Sequence, residues 1–387
     1  MQLRVDKVET VEGLHALRSD WQRLAQAHGG GVPFTTWEWN ATWWAHFRER
    51  RVSVRDGLFV LAVRDASGAL VAVAPLMRTE RPGMGPLRAR VLQFFGADPN
   101  VTELRGLVRD PARERDIYAA LAGYLREHAD DWDWMMWSGL RMDGDGAREL
   151  AALAPLSATR EVPMFTLPLE GNWEAFKSTR SRNIKESLRK CYNSLKRDGH
   201  AFTFDVARER NEVAHALDTL LRLHHARSTA TDTVQHRDVF DSVQASGFLK
   251  ELCDRLSTQD RVRVFQLRIA GEVVAARVGF VLGSTLYLYY SGYDPRWGDY
   301  SVMTTTVAES LKYAFAEGFQ VANLSTGRDV SKTRWSPDET VYHEALQLSP
   351  ARRGQMAFAT YRRVREMLDD ERVQGWARRF LARRAGT

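Results

Sequence analysis

A chain of 387 residues, 44% apolar and 27% charged, is long enough for two packed domains and too apolar for bulk disorder. Its formal charge of +6 is mild for this length, and its two cysteines, Cys191 and Cys253, show no C-x-x-C or zinc spacing, which excludes a disulfide scaffold and points to a reducing compartment. The first ten residues lack an apolar h-region, and no run of about 18 apolar residues occurs, so a cytoplasmic protein with no membrane span is expected.

In chain order, residues 12–28 read as a helix, with Leu14, Leu17, Trp21 and Leu24 at spacings of three and four, ended by Gly29-Gly30-Gly31. A second helix follows Pro33-Phe34-Thr35-Thr36. Its Trp37, Trp39, Trp43, Trp44 and Phe47 form a core or inter-domain face, with a groove for sugar rings as the functional alternative. Residues 58–64 and 70–77 read as a hairpin turning at Ala66-Ser67-Gly68. A strand over 91–96, a helix over 113–128, a strand over 132–138 and another over 163–167 complete the first half.

The second half begins near Asn172 with a short helix at Trp173. A long basic helix over 181–198 carries Ile184, Leu188, Cys191 and Leu195 on one side. Then come a strand over 202–206, helices over 211–227 and 240–256, and a hairpin of 262–269 with 273–282 turning at Gly271. A strand over 285–293, a helix over 301–317 and strands over 320–325 and 340–348 follow. The last segment, 351–387, reads as a basic amphipathic helix: Arg352 to Arg384 include ten arginines against Glu366, Asp369, Asp370 and Glu371. It is either a solvated face with helical ion pairs or a patch for phosphate, acidic glycan or anionic lipid. A hairpin leading to a strand–helix–strand unit is the core of the GNAT acyltransferase fold. The expected fold class is therefore α/β (α+β), two GNAT-like domains in tandem with mixed central sheets flanked by helices. The boundaries fall at 1–170, expected to be non-catalytic, and 171–350, expected to be catalytic.

Two junctions carry the chemistry. In Gly292-Tyr293-Asp294-Pro295-Arg296-Trp297-Gly298-Asp299-Tyr300-Ser301 a strand gives way to a helix with Ser301 as its N-cap, a place where backbone N–H groups favour an anion such as a pyrophosphate. The Q/R-x-x-G-x-G/A loop usual there in GNAT enzymes is missing. In the segment from Asn323 to Trp335 a strand runs into Gly327 and a basic cluster, where Lys332 and Arg334 could hold a phosphate or carboxylate of an acceptor. His224 and His225 point about 100° apart on a helix and cannot form a metal pair, so no metal is expected. Tyr287, Tyr289 and Tyr293 are expected on one face of their strand and Tyr290 on the other.

These residues resemble the CelD/BcsL-type acetyltransferases of polysaccharide biosynthesis, a GNAT branch similar to the FemABX peptidyltransferases. The likeness rests on Pro33-Phe34 with Trp37-Glu38-Trp39 and Trp43-Trp44; Gly68 with Ala72 to Leu76; the basic helix from Arg182; Leu223-His224 with Arg227; Gly271 with Ala275-Ala276; Ser291 to Pro295; Ser301; and Gly327 with Lys332 and Trp335. It implies acetyl-CoA or another acyl-CoA as co-substrate and an amine acceptor. It also implies that Lys332 contacts the acceptor and stabilises the transition state. Asn323 stands where relatives often carry an acid.

The mechanism expected on this basis is direct transfer. Asp294 is the first choice of base, with His224 and Glu344 as fallbacks. Backbone N–H groups over 289–291 receive the oxyanion, and Tyr290 protonates the thiolate. Tyr289, Ser291, Trp297, Gly298 and Ser301 are assigned to the donor; Lys332, Arg334, Arg227 and Trp335 to the acceptor. Two rivals stay open: transfer from charged tRNA, kept alive by a pI near 9.4, and a non-catalytic glycan- or complex-binding protein. Contact with the inner membrane face through the basic tail is likewise open.

Overall fold

The computed structural model describes residues 3–28, 30–82, 88–98, 100–230 and 236–369. The first half runs β1 (Arg4–Val8), α1 (Val11–Ala16), α2 (Arg18–His28), α3 (Trp37–Phe47), β2 (Arg55–Leu58), β3 (Val60–Arg64), β4 (Leu70–Ala74), β5 (Leu76–Pro82), β6 (Arg88–Phe94), β7 (Val108–Arg109), α4 (Glu114–Glu127), β8 (Trp134–Leu140), α5 (Asp145–Ala151) and β9 (Leu156–Pro168). The second half runs α6 (Trp173–Thr179), α7 (Arg182–Arg197), β10 (Phe202–Ala207), α8 (Arg210–Ser228), α9 (Val243–Ser257), β11 (Val262–Ile269), β12 (Glu272–Leu282), β13 (Thr285–Tyr293), α10 (Val302–Ala316), β14 (Val321–Thr326), α11 (Val330–Thr333), β15 (Asp338–Leu348) and α12 (Arg352–Asp369). The part of the expected basic helix beyond Asp369 lies outside the described residues. No helix among the described residues is long and apolar enough to cross a membrane.

Local pattern explains most elements, with two departures. The helix expected over 12–28 is interrupted at Leu17, although Leu14, Leu17, Trp21 and Leu24 are all buried as the spacing requires. The hairpin expected over 58–77 is split: β3 and β4 pair in a four-stranded sheet with β1 and β7, while β2 and β5 pair in a second, larger sheet. Pro75 sits at the break between β4 and β5, where a missing N–H cannot continue a ladder.

The larger sheet has eleven strands in the order β10-β11-β12-β13-β14-β9-β15-β8-β6-β5-β2. Two of its neighbour pairs are parallel, and they occupy equivalent places in the two halves. In β13 and β14 the pairing is Thr285 with Val321, Leu286 with Ala322 and Tyr287 with Asn323. In β6 and β8 it is Val91 with Trp134, Leu92 with Met135 and Gln93 with Met136. Each pair is bridged by one helix, α10 or α4, and then diverges. The chain thus has two GNAT-like halves.

The halves exchange strands. β15, from the end of the chain, lies between β8 and β9 and is antiparallel to both. β9, from the first half, lies beside β14. The largest apolar cluster is shared in the same way: it runs from Trp21, Trp39 and Trp43 through Leu220 and Phe248 to Phe280 and Tyr289. Helix α3 is buried on nearly every side, including Glu38 and Asn40, because it packs between the halves.

Helix α8 crosses β13 at backbone contact. A Cβ placed on Gly292 would stand 2.2 Å from His224 N and 2.5 Å from the Leu223 carbonyl carbon. We expect Gly292→Ala to push α8 off the sheet and cost about 1–3 kcal/mol. Urea unfolding should show the midpoint fall with the m-value kept; an unchanged midpoint would mean that α8 is free to shift.

Candidate functional site

Past Tyr287 and Asn323, β13 and β14 separate, for two local reasons. On β13 the register jumps between Ser291 opposite Arg277 and Leu288 opposite Gly279, so Tyr289 and Tyr290 together face Val278: a β-bulge. On β14, Ser325 is left-handed, with φ 71°, and its N–H donates to the Asn323 side-chain oxygen at 2.9 Å. Asn323 pins that bend from a buried position and reaches Met164 Sδ with its amide nitrogen at 3.3 Å.

The bulge corrects the expected facing of the tyrosines. Tyr290 joins Tyr287 and Tyr289 on the face toward the first half, and Tyr293 passes to the opposite face beside Trp297 and Val302. The three hydroxyls then hold one loop: Tyr287 donates to Glu103, Tyr289 to the Val101 carbonyl, and Tyr290 to the Asn100 carbonyl at 2.6 Å. Asp98 organises the same loop, accepting from Trp43 Nε1 at 2.7 Å, Thr102 Oγ1 at 2.7 Å and Thr102 N at 3.0 Å. Trp39 Nε1 donates to Thr102 Oγ1 at 3.2 Å. The tryptophans of α3 are therefore core residues, and the N–H groups of Trp39 and Trp43 fix the loop.

That loop brings Glu103 from the first half to the mouth of the β13–β14 splay, where Lys332 arrives from the second. Both line a cavity of about 530 Å³, together with Asn100, Arg105, Tyr290 and Thr326. Lys332 Nζ donates to the Thr326 carbonyl and lies 3.3 Å from the Asp329 carboxylate. Burial pushes the Glu103 carboxyl up to about 6, against the opposing pull of Lys332, of the Tyr287 hydroxyl and of Arg277. Burial also lowers Arg277 to about 10, helped by the neighbouring charge of Arg227. Arg277 Nη2 donates to Ser291 Oγ at 3.3 Å. The Tyr290 phenol is held far above its ordinary value by burial and keeps its proton.

The other residues singled out from sequence lie elsewhere or are already engaged. Asp294 accepts from Arg296 N at 3.0 Å and pairs with the Arg296 guanidinium, at 2.6 Å from its Nη2; those bonds lower its pKa. It caps a 3₁₀ turn, Pro295–Tyr300, that carries Trp297 and Gly298. Trp297 packs between His200 and Tyr300. The expected N-cap Ser301 is instead left-handed, with φ 53°, and makes no side-chain cap; the proline-led 3₁₀ turn before it has displaced that role. His224 is buried, with Nδ1 2.9 Å from the Ser291 carbonyl and Nε2 accepting from Val239 N at 3.3 Å, so both ring nitrogens are used. Glu344 accepts from both Arg105 and Arg160, which hold its pKa down against burial. Arg334 donates to Thr304 Oγ1 at 2.8 Å. Arg227 reaches His236 and the Tyr293 ring. Tyr289 and Trp335 are core residues, and the Trp335 carbonyl accepts from Arg180 at 2.7 Å. Of the expected site residues, Tyr290 and Lys332 share the cavity. Glu103, Arg277 and Asp329 were not found from sequence; an Asp98-to-Asn100 turn motif was the single local signal near them.

Residues 182–335 match the family described as Acetyltransferase (GNAT) domain. A search of curated proteins by sequence found no match. Among solved structures the chain is similar to FemX, at 12% identity and a TM-score of 0.58, over 87% of this chain and 96% of that one. It is also similar to a conserved protein of unknown function from Bacteroides thetaiotaomicron, at 10% identity and a TM-score of 0.51, over 89% and 100%. At such identities the likeness is one of fold, and it spans both halves. The match to the GNAT acetyltransferase domain lies within the second half, and the fold of the whole chain is similar to that of FemX.

The Glu103 shift has a stability consequence. With its folded pKa raised from 4.5 to about 6, the carboxyl costs nothing while it is neutral in both states, below about pH 4.5. As pH rises from 4.5 to about 6 the unfolded chain ionises while the folded state resists, so stability falls by about 2 kcal/mol over that window and stays lower above it. Glu103→Gln should therefore match the wild type near pH 4.5 and exceed it by about that amount near pH 8. Urea midpoints at the two pH values give the difference; an offset independent of pH would show that Glu103 titrates normally.

Proposed function

We propose that this chain is an N-acyltransferase that moves an acyl group, with acetyl from acetyl-CoA as the first candidate, onto an amine acceptor, with Glu103 as general base. The observation that carries this reading is the meeting of Glu103, Tyr290 and Lys332 in one cavity at the place where two parallel strands splay. The thioester would lie between β13 and β14 with its carbonyl toward the bulge, where the extra residue leaves backbone N–H free for the oxyanion. A carboxylate with a pKa near 6 is ionised at neutral pH and still a useful base, so Glu103 takes the proton from the attacking nitrogen. The nitrogen–carbonyl bond forms, the carbon–sulfur bond breaks, and the proton taken up by Glu103 is relayed through the Tyr290 hydroxyl to the departing thiolate, which leaves both side chains as they began. Lys332, tied to the Thr326 carbonyl and Asp329, orients the acceptor. An amino sugar of polysaccharide or cell-envelope biosynthesis fits this role.

One observation favours a second reading, transfer from an aminoacyl-tRNA. The 3₁₀ turn Pro295–Tyr300 stands where a glycine-rich pyrophosphate loop would be, and it opens with the carboxylate of Asp294. That carboxylate already takes the Arg296 N–H and guanidinium that a pyrophosphate would use.

Acetyl-CoA should raise the melting temperature of the wild-type protein, and release of CoA should depend on added amine. Glu103→Gln should lower turnover about 10²–10⁴-fold with acetyl-CoA affinity kept, and should abolish the rise in rate centred near pH 6. Normal turnover in that variant removes Glu103 from the role. Absence of acyl-CoA binding, with salt-sensitive binding of charged tRNA, moves the assignment to the second reading.

A further inference from the structure

The Glu103–Lys332 cavity does not end at the loop. A second cavity of about 650 Å³ adjoins it, and the two share Arg81, Gln93, Ala97 and Asp98 in their walls. The second has Trp43, Phe47 and Met77 in its lining and reaches Tyr361 of α12. The two lie side by side along the first half, a divided trough with Arg81 lining both parts.

The cations of this trough are not equivalent. Arg105 and Arg160 share Glu344. Lys332 has Asp329 at 3.3 Å, and Arg51 has Glu49 at 2.8 Å. Arg81 differs: among the described residues its side chain makes no ion pair and no hydrogen bond, and its Nε is buried without a partner. Asp56 feels its charge, but the Asp56 oxygens are occupied by Thr79 Oγ1 at 2.6 Å and Glu49 N at 2.8 Å. A buried Nε–H without a partner is costly unless something else satisfies it, and the rest of this half-buried guanidinium is left free to bind.

We infer that Arg81 is the anion anchor of the acceptor site: the acceptor carries a carboxylate or phosphate that Arg81 binds through paired N–H donors, while its amine lies at Glu103. The substrate class is thus an anionic amine whose body extends into the second cavity. This rests on the acyltransferase reading for the amine and on the trough for the anion. A fork of two parallel N–H groups matches either oxyanion, and a lysine offers a point charge instead.

The test is calorimetric titration of the purified protein with inorganic phosphate, pyrophosphate and succinate, with the melting temperature followed in parallel. The wild type should bind at least one of them saturably. Arg81→Gln should weaken that binding tenfold or more, Arg81→Lys should fall between, and Arg51→Gln should behave as wild type. Tighter binding of the phosphates assigns a phosphorylated acceptor; tighter binding of succinate assigns a carboxylated one. No saturable binding by the wild type, or equal binding by Arg81→Gln, overturns the inference. If Arg81→Gln folds poorly, Arg81→Lys decides, and unchanged affinity in it overturns the inference too. Acetyl-CoA titration of the same proteins keeps the two claims apart: its failure in the wild type removes the acyltransferase reading and leaves the anion site standing.

Discussion

Three tyrosine hydroxyls on β13 gripping residues 100–103 make one site out of two half-molecules. Glu103 belongs to a loop of the first half and Lys332 to a helix of the second, and neither half alone presents both. Two of these hydroxyls bond backbone carbonyls and the third the Glu103 carboxylate; each such bond contributes only about 0.5–1.5 kcal/mol net, but leaving the buried Val101 carbonyl unpaired would cost about 1–3 kcal/mol. The three bonds therefore act less as glue than as a selector of one loop conformation. Asp98 and the indole N–H groups of Trp39 and Trp43 fix the same loop from behind. Loop and bulge also need each other. Without the second residue opposite Val278, Tyr290 would turn to the other face and the third hydroxyl would leave the loop.

The exchanged strands give that grip a rigid frame. β15 must be in place before the sheet of the first half is continuous, and β9 must be in place before β14 has its second neighbour. A cleft bounded by a parallel pair with only its first residues joined would otherwise be free to close. Here β9 holds the outer side of β14, while α8 holds β13 at backbone contact through Gly292. The cleft is thus kept open by elements that do not line it.

What was legible in the sequence follows from how local each feature is. The amphipathic helices, the β11–β12 hairpin and the strand–helix–strand unit from Thr285 to Thr326 are written in short-range periodicity. Pro75 was a readable break inside an apolar run, but where the two pieces went, into different sheets, depends on partners far along the chain. Ser301 has the chemistry of an N-cap; the turn led by Pro295 and capped by Asp294 decides otherwise. The bulge cannot be read from Tyr-x-Tyr-Tyr alone, because it exists only opposite Val278. Glu103 was least legible of all: its contact with Tyr287 spans 184 positions, and nothing around it marks a loop acid as different from any solvated one. Lys332 stood out in the basic cluster after Gly327, together with Arg334; the resemblance singled it out for contact with the acceptor.

The same architecture sets the proton affinity of the Glu103 carboxyl. Glu103 owes its raised pKa to burial, and three neighbours oppose the shift: Lys332, the Tyr287 hydroxyl and Arg277. Bringing Lys332 closer would hold the carboxylate ionised but make it a weaker base. Releasing the loop would rehydrate it, with the same effect. A pKa near 6 therefore requires the loop closed and Lys332 held back, and the structure supplies both. The tyrosine hydroxyls close the loop, while the Thr326 carbonyl and Asp329 draw the Lys332 ammonium toward β14. The left-handed turn at Ser325, pinned by Asn323, sits immediately before that carbonyl. An acid at position 323 would add a second buried charge to this balance. An amide bends the strand and leaves the electrostatics to Glu103.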